Sequence, residues 1–449
     1  MAGTVLLLAL TFRPVVEGDG VGYYSFLHAA FVSHRLDYTS EYGAAIASHT
    51  PLYLPSVTDR TSAGTLTDLF PAGSAVLSAP AYLIALAFRP AGEPQYGSPF
   101  VDAFTLASLF YGLMALAISY RLAAAVVANR RPALVAVLGA FFATPMVYYT
   151  LSDPSYSHTF SAFCASAFLY TWWTGPPKRY RGWFALGVLG GLMAMTRYQD
   201  GLLMAIVLVD ARRLNWRTLA LIPGAIVGFA PQLVIDQLQL GQWLPRPFPD
   251  QTINPLSGHF LEVLFSTRYG LFVLAPAAIL AVVGGFFIRD RRLKLACGLA
   301  FLLEIAVIGS ASDTAGSAIG PRRFLCLLPF AVVALVALIA RLRPWIGYVA
   351  LATLSAWNLV LMANLEYVTA GNDPGIAGLT VGQLAAVQYV PRLFAKGAVV
   401  RDLVLWRQAH TGFDLVGGLT LLALEAACVL GMLALVARLR PVERQGNSA

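Results

Sequence analysis

Long apolar runs recur along nearly the whole chain, separated by short loops rich in arginine, and this pattern leaves few folds open. Inside lipid every backbone N–H and C=O must be satisfied within the protein, so a spanning chain is either helical or a closed barrel. A barrel would show short segments of alternating hydrophobicity. Here the runs are continuous, and the chain is expected to be an all-α polytopic membrane protein. The composition agrees: 58% of the residues are hydrophobic and 12% charged. The formal charge of +8 does not call for nucleic acid, because the basic residues sit between apolar runs, where the positive-inside rule accounts for them. The four cysteines lie inside apolar runs and offer neither metal spacing nor a disulfide framework.

Residues 1–12 are apolar but lack a basic leader and a small-x-small cleavage site, so they are expected to form a first membrane helix with a truncated or mis-assigned start. Clusters around 121–131, 178–181, 212–217, 289–294, 341–343 and 438–444 hold more than half of the 31 Lys and Arg residues, which assigns them to the cytoplasmic side. About twelve spans are then expected, near 1–12, 101–127, 133–150, 159–174, 183–196, 199–210, 218–238, 271–288, 293–311, 324–341, 345–363 and 413–438. Run 73–89 contains Pro80, is at the short end of the ~17–25 residues a span needs, and would invert every later loop if it crossed. It is expected as a re-entrant or interfacial helix in one long outer loop, 13–100. Runs 183–196 and 199–210 make an abbreviated pair meeting at Thr196-Arg197-Tyr198-Gln199-Asp200. The polar material thus collects on the outer side, which also receives 152–158, 239–270, 312–323 and 364–412. No P-loop or glycine-rich strand–helix turn is present. The chain divides into a main module, 1–345, and a C-terminal membrane region, 346–449.

Several constellations carry chemistry. Glu17-Gly-Asp19-Gly-Val-Gly-Tyr23-Tyr24 places two carboxylates beside a membrane, where charge is costly. Its glycines permit a tight turn aiming Asp19 at a ligand, or an ordinary polar loop. Asp19 and Asp153, in separate outer loops, suit general-base work, acceptor binding or a divalent metal. Asp153-Pro154 also suits the start of the 159–174 helix as a cap. His158 fits a proton relay, a phosphate contact or a helix-start polar residue. Arg197, between two short apolar helices, needs an anionic partner or a water-filled cavity, and Asp200 is a near candidate. Arg322 and Arg323, after Gly320-Pro321, can hold a phosphate bidentately or anchor to lipid headgroups.

These residues resemble a family. Asp19-Gly-x-x-Tyr23-Tyr24, Leu36-Asp37-Tyr38-Thr39-Ser40-Glu41-Tyr42 and Phe70-Pro71-Ala72-Gly73 come first. The second-loop Asp153, Gly190-Gly191-Leu192-Met193-Ala194-Met195-Thr196-Arg197, Ser266-Thr267-Arg268-Tyr269-Gly270-Leu271-Phe272 with Pro276, and Ile319-Gly320-Pro321-Arg322-Arg323 with Pro329 come after them in order. Over about residues 1–345 the set resembles bacterial GT-C glycosyltransferases, akin to protein O-mannosyltransferases and aminoarabinose transferases. The resemblance implies a GT-C fold whose long first outer loop contains short interfacial helices. It also implies inverting transfer of a sugar from a polyprenyl-phosphate donor to a hydroxyl of a glycan, lipid or protein. That chemistry would face outward from the cytoplasmic membrane of a bacterium.

In that frame Asp19 maps to the catalytic base, with Glu17 as its substitute, and Asp153 to the second-loop acid. Arg197, Arg268, Arg322, Arg323 and His158 become donor-phosphate candidates. Tyr23, Tyr24, Asp37 and Glu41 become cavity residues, the two tyrosines being equally suited to an interfacial belt. No cofactor is fixed, and a divalent metal at Asp19 and Asp153 is one option. The sequence departs from the family where glycine separates Glu17 from Asp19 and where 312–315 replaces an aromatic-glycine lead. A transporter or lipid-linked sugar flippase is the competing expectation, since it too uses charged residues in broken helices such as 183–210. Polar residues gathered on one face count against it. A scaffold without chemistry leaves Asp19, Asp153 and the outer arginines unexplained.

Overall fold

The structure, a computed structural model, describes residues 12–369 apart from 49, 53–56, 62–63, 90–91, 128, 176, 247, 249–250, 257 and 313–318. The spans expected at 1–12 and 413–438, and most of the C-terminal region with its loop 364–412, lie outside the described residues. The helix expected at 345–363 does form and continues to Thr369, into what was expected as loop.

All regular elements described are helices, joined by isolated bridges rather than strands. Segment 13–100, expected as an outer loop and called so below, carries α1 (Gly20–His28), α2 (Thr39–Ala47) and α3 (Gly73–Ala87). Then come α4 (Ser98–Val127), α5 (Arg130–Phe142), α6 (Met146–Leu151), α7 (His158–Thr174), α8 (Tyr180–Thr196) and α9 (Leu221–Leu240). The last part holds α10 (Phe260–Phe265), α11 (Leu271–Leu274), α12 (Ala277–Gly285), α13 (Arg291–Ser310), α14 (Leu328–Ile339) and α15 (Pro344–Thr369).

Among the described residues five helical stretches are long and apolar enough to cross a membrane: Ser98–Val127, Trp216–Leu240, Arg291–Ser310, Arg322–Ile339 and Pro344–Met362. Other expected spans are broken. Run 133–150 divides into α5 and α6 at Thr144-Pro145, and 271–288 divides into α11 and α12 at Pro276. Proline removes a helical N–H and crowds the preceding turn. Run 199–210 belongs to a 3-10 helix, Tyr198–Arg213, with a kink at Asp210. Such a helix rises about 2.0 Å per residue, against about 1.5 Å for an α-helix. The segment therefore reaches farther than its residue count suggests.

Two contacts hold the break after α8 and the outer loop in place. Gly187 and Gly191 on α8 face Gly224 and Gly228 on α9, and a Cβ on Gly191 would strike the Ala225 carbonyl oxygen. This small-residue packing lets two helix backbones touch and fixes the end of α8. The outer loop is then tied to the same pair. Gln239 on α9 accepts from Asp68 N at 3.2 Å and donates to Asp68 O at 2.8 Å, while Gln232 accepts from Ala72 N at 2.8 Å.

The outer loop also packs into an apolar core, built from Tyr24, Tyr38, Tyr42, Tyr82 and Phe100 together with Phe104 of α4. Burying an aromatic or large aliphatic side chain contributes about 1.5–3 kcal/mol. Loop 13–100 is thus a folded cap rather than a solvated connection.

Candidate active site

Gly18 adopts φ +59°, in the left-handed region that glycine tolerates, and a Cβ there would also strike the Tyr156 hydroxyl. This turn presents Asp19 just ahead of α1. Asp19 Oδ2 accepts from Arg322 Nη1 at 2.7 Å, closing an ion pair between residues 303 positions apart in the sequence. The guanidinium lies over the Tyr156 ring, 4.9 Å from its centroid. The Asp19 and Arg322 side chains are 18% and 9% exposed, so the pair is only partly screened by water.

The second loop meets the first at Ser155. Its Oγ donates to Asp153 Oδ1 at 2.7 Å and accepts from Glu17 N at 3.4 Å. Asp153 is therefore not the cap of α7, which starts at His158 after Ser157. Burial, reinforced by the negative charge of Glu17, pushes the Asp153 carboxyl well above the ordinary carboxylate range. Glu17, Asp19 and Asp153 thus gather around Ser155 and Tyr156, as their separate loops allowed but did not require.

Arg197 is extended (φ −155°, ψ 121°) at the break between α8 and the following 3-10 helix. Its Nη1 donates to His158 Nδ1 at 2.8 Å and to the Arg322 carbonyl at 3.4 Å. Arginine has no acceptor, so His158 Nδ1 must be unprotonated and a neutral ring carries its proton on Nε2. That Nε2 is buried without a hydrogen-bond partner. The ring sits beside Tyr149 and parallel to Tyr156. Asp200 does not pair with Arg197; it accepts from the Ser161 hydroxyl instead.

The remaining expected residues divide. Tyr23 is buried against Phe70, and burial together with the Asp19 charge raises its phenol pKa. Arg323 follows Arg322 and is half-buried, whereas Arg268 is exposed over the Tyr269 ring. Three others belong to the cap. Tyr24 packs among Tyr82, Tyr96 and Phe104 and donates to the Gln95 carbonyl. Glu41 is fully buried and accepts from Ser33 and Ser40 beside His28 Nδ1. Asp37 accepts from the Thr39 hydroxyl and amide and from Leu66 N, and the Thr39 hydroxyl holds its pKa below the ordinary range.

An apolar cavity of about 710 Å³, which no sequence pattern announces, opens among α12, α13 and α14. Phe286, Phe301, Phe324 and Phe330 line it, as do Pro145 and Pro321, the residue before Arg322. Among the described residues, Asp19 and Asp153 are not part of a group of three or more side chains whose ligand atoms converge. Among the described residues the group whose donor atoms do converge is Asp200, Glu304 and Cys326.

No family model and no curated protein matches the sequence. Among solved structures the chain is similar to ArnT from Cupriavidus metallidurans in the apo state, with a TM-score of 0.51 and 16% identity. The likeness covers 97% of this chain and 74% of that one. The fold is accordingly the GT-C-like one that the sequence motifs implied.

Proposed function

We propose that this protein is a glycosyltransferase that moves a sugar from a polyprenyl-phosphate donor to an acceptor hydroxyl, on the outer face of a bacterial cytoplasmic membrane. The observation that carries the reading is the apolar cavity whose lining includes Pro321, the residue before Arg322. A long hydrocarbon chain with an anionic head fits such a shape, and the likeness to ArnT supports a lipid-linked sugar as the donor class.

In this reading the isoprenoid chain occupies the cavity and its phosphate meets Arg322, Arg323 and the Nε2–H of His158. Arg197 holds the His158 tautomer and adds positive charge. Arg268, at the exposed edge, is a further phosphate contact. The acceptor oxygen attacks the anomeric carbon from the side opposite the phosphate. A new C–O bond forms, the sugar–phosphate bond breaks, and configuration inverts. The acceptor proton passes to Asp19, with Glu17 or Asp153 as substitutes, while the arginines stabilise the charge developing on the leaving phosphate. Tyr23 shapes the sugar side of the site. The step needs no nucleotide. Glycans, lipids and proteins all offer acceptor hydroxyls of the required kind.

Purified protein supplied with a lipid-linked sugar and an acceptor tests this reading. Release of polyprenyl phosphate with sugar on the acceptor supports it; movement of intact lipid-linked sugar across the bilayer favours a flippase. Ala331→Trp, which fills the cavity, should raise KM for a long-chain donor by about tenfold, the equivalent of about 1.4 kcal/mol, and affect a short-chain donor much less. Equal effects on both donors would remove the cavity from the lipid site.

A further inference from the structure

We propose that Asp200, Glu304 and Cys326 form a site for a thiophilic divalent cation of the Zn²⁺ class, behind the Arg197 turn. Three separate elements bring these side chains together: the 3-10 helix Tyr198–Arg213, α13, and the 3-10 helix Arg322–Leu327. One ligand atom from each lies within 4.8 Å of the others. All three are enclosed, with residue exposures of 0%, 1% and 0%. Neither acid forms an ion pair among the described residues, because Arg197 is committed to His158, Gln199 and the Arg322 carbonyl.

A second observation points to a ligand. Asp200 Oδ2 accepts from Ser161, but its Oδ1 is buried with no hydrogen-bond partner. An unsatisfied buried oxygen costs about 1–3 kcal/mol, and more when it is charged. Buried carboxylates are normally paired with cations or bound to metal. The Asp200 carboxylate lies within ligand reach of a second carboxylate and of the Cys326 thiol, which otherwise donates to the Arg323 carbonyl at 3.8 Å, and this set suits a metal ion.

The donor chemistry narrows the ion. Ca²⁺ and Mg²⁺ prefer six or more oxygens. Two carboxylates and one thiolate match Zn²⁺, with water completing a tetrahedron. Binding displaces the Cys326 thiol proton to solvent, leaving the sulfur to donate its electron pair. Outer partners are in place: Ser161 holds Asp200, and Gln199 Nε2 donates to Glu304 Oε2 at 2.7 Å and to the Arg323 carbonyl at 3.3 Å. Through Gln199 the cation braces the turn that carries Arg197. The site stands on these contacts alone and does not depend on sugar transfer.

The test uses full-length protein in detergent, stripped by a chelator and titrated with Co²⁺. One equivalent should produce the near-ultraviolet thiolate-to-cobalt charge-transfer band, and Zn²⁺ should abolish it. Cys326→Ser should lose the band while Cys164→Ser keeps it. Glu304→Gln should weaken Co²⁺ binding by at least the ~10–100-fold seen for outer-partner losses. X-ray absorption of the Zn²⁺-loaded wild-type protein should show one sulfur at about 2.3 Å with lighter ligands near 2.0 Å. That measurement needs no variant, so misfolding cannot obscure it. A sulfur-free metal shell, no bound Zn²⁺, or an unchanged band in Cys326→Ser would overturn the proposal.

Discussion

Asp19 and Asp200 reach the neighbourhood of Arg197 from different elements and handle charge in opposite ways. Asp19 is partly exposed and takes the Arg322 guanidinium at 2.7 Å. Asp200 is fully enclosed, takes a serine hydroxyl, and leaves its other oxygen bare. A partly exposed, paired carboxylate can stay charged and exchange its partner for a ligand. An enclosed one needs a proton or a bound cation. The first arrangement suits chemistry and the second suits support.

The contrast is sharpest in activity. Asp19→Asn keeps the shape and most hydrogen bonds but cannot take a proton, so transfer should fall by ~10²–10⁴-fold, the usual worth of a positioned base. Glu17→Gln should cost much less; equal losses in a transfer assay would show that the two acids share the role. Arg322→Ala comes next. Losing one preorganised charge donor should lower kcat by ~10²-fold or more, and near-wild-type turnover would make Arg322 a structural partner of Asp19 only. Breaking the pair should also destabilise the fold, toward the lower end of the ~3–5 kcal/mol seen for fully buried pairs because Asp19 keeps some water.

Asp200→Asn should behave differently in metal-free protein. It replaces a buried carboxyl that makes no ion pair among the described residues, so thermal unfolding should change by only about 1 kcal/mol, in either direction. A loss as large as that of Arg322→Ala would erase the distinction between the two acids. The smallest effect is the pH dependence carried by Asp153. Its folded pKa is raised by burial and by Glu17, so the folded state holds this proton more tightly than the unfolded chain. The associated stability is complete below the unfolded value of about 3.9 and is lost as pH rises through the raised folded value. Asp153→Asn should flatten that decline in thermal midpoint; an unchanged slope would assign it to another group.

The helical membrane class was legible because apolar run length alone decides it. The break at Arg197 was legible too, as a charged residue between two short apolar runs. The Asp19–Arg322 pair was not: both residues were singled out, but 303 positions separate them and no local rule links them. Asp200, Glu304 and Cys326 were hidden for the same reason, a lone acid or cysteine in an apolar run carrying little signal by itself. Pro145 and Pro276 divided expected spans because hydropathy counts residues and not helical hydrogen bonds. Gly187, Gly191, Gly224 and Gly228 were visible at four-residue spacing, yet their pairing required knowing that α8 and α9 touch. Tyr24 and Glu41 were expected near a substrate. In the cap Tyr24 packs in the aromatic core and Glu41 hydrogen-bonds with His28, placements that no local sequence rule links.

The most direct test of the central claim is the fate of the sugar–phosphate bond in wild-type protein. Radiolabelled lipid-linked sugar and acceptor are incubated with purified protein, and polyprenyl phosphate and glycosylated acceptor are quantified together. The expected result is one polyprenyl phosphate released for each sugar transferred, with inverted anomeric configuration in the product. Intact lipid-linked sugar accumulating in the opposite leaflet, with no polyprenyl phosphate released, would contradict it.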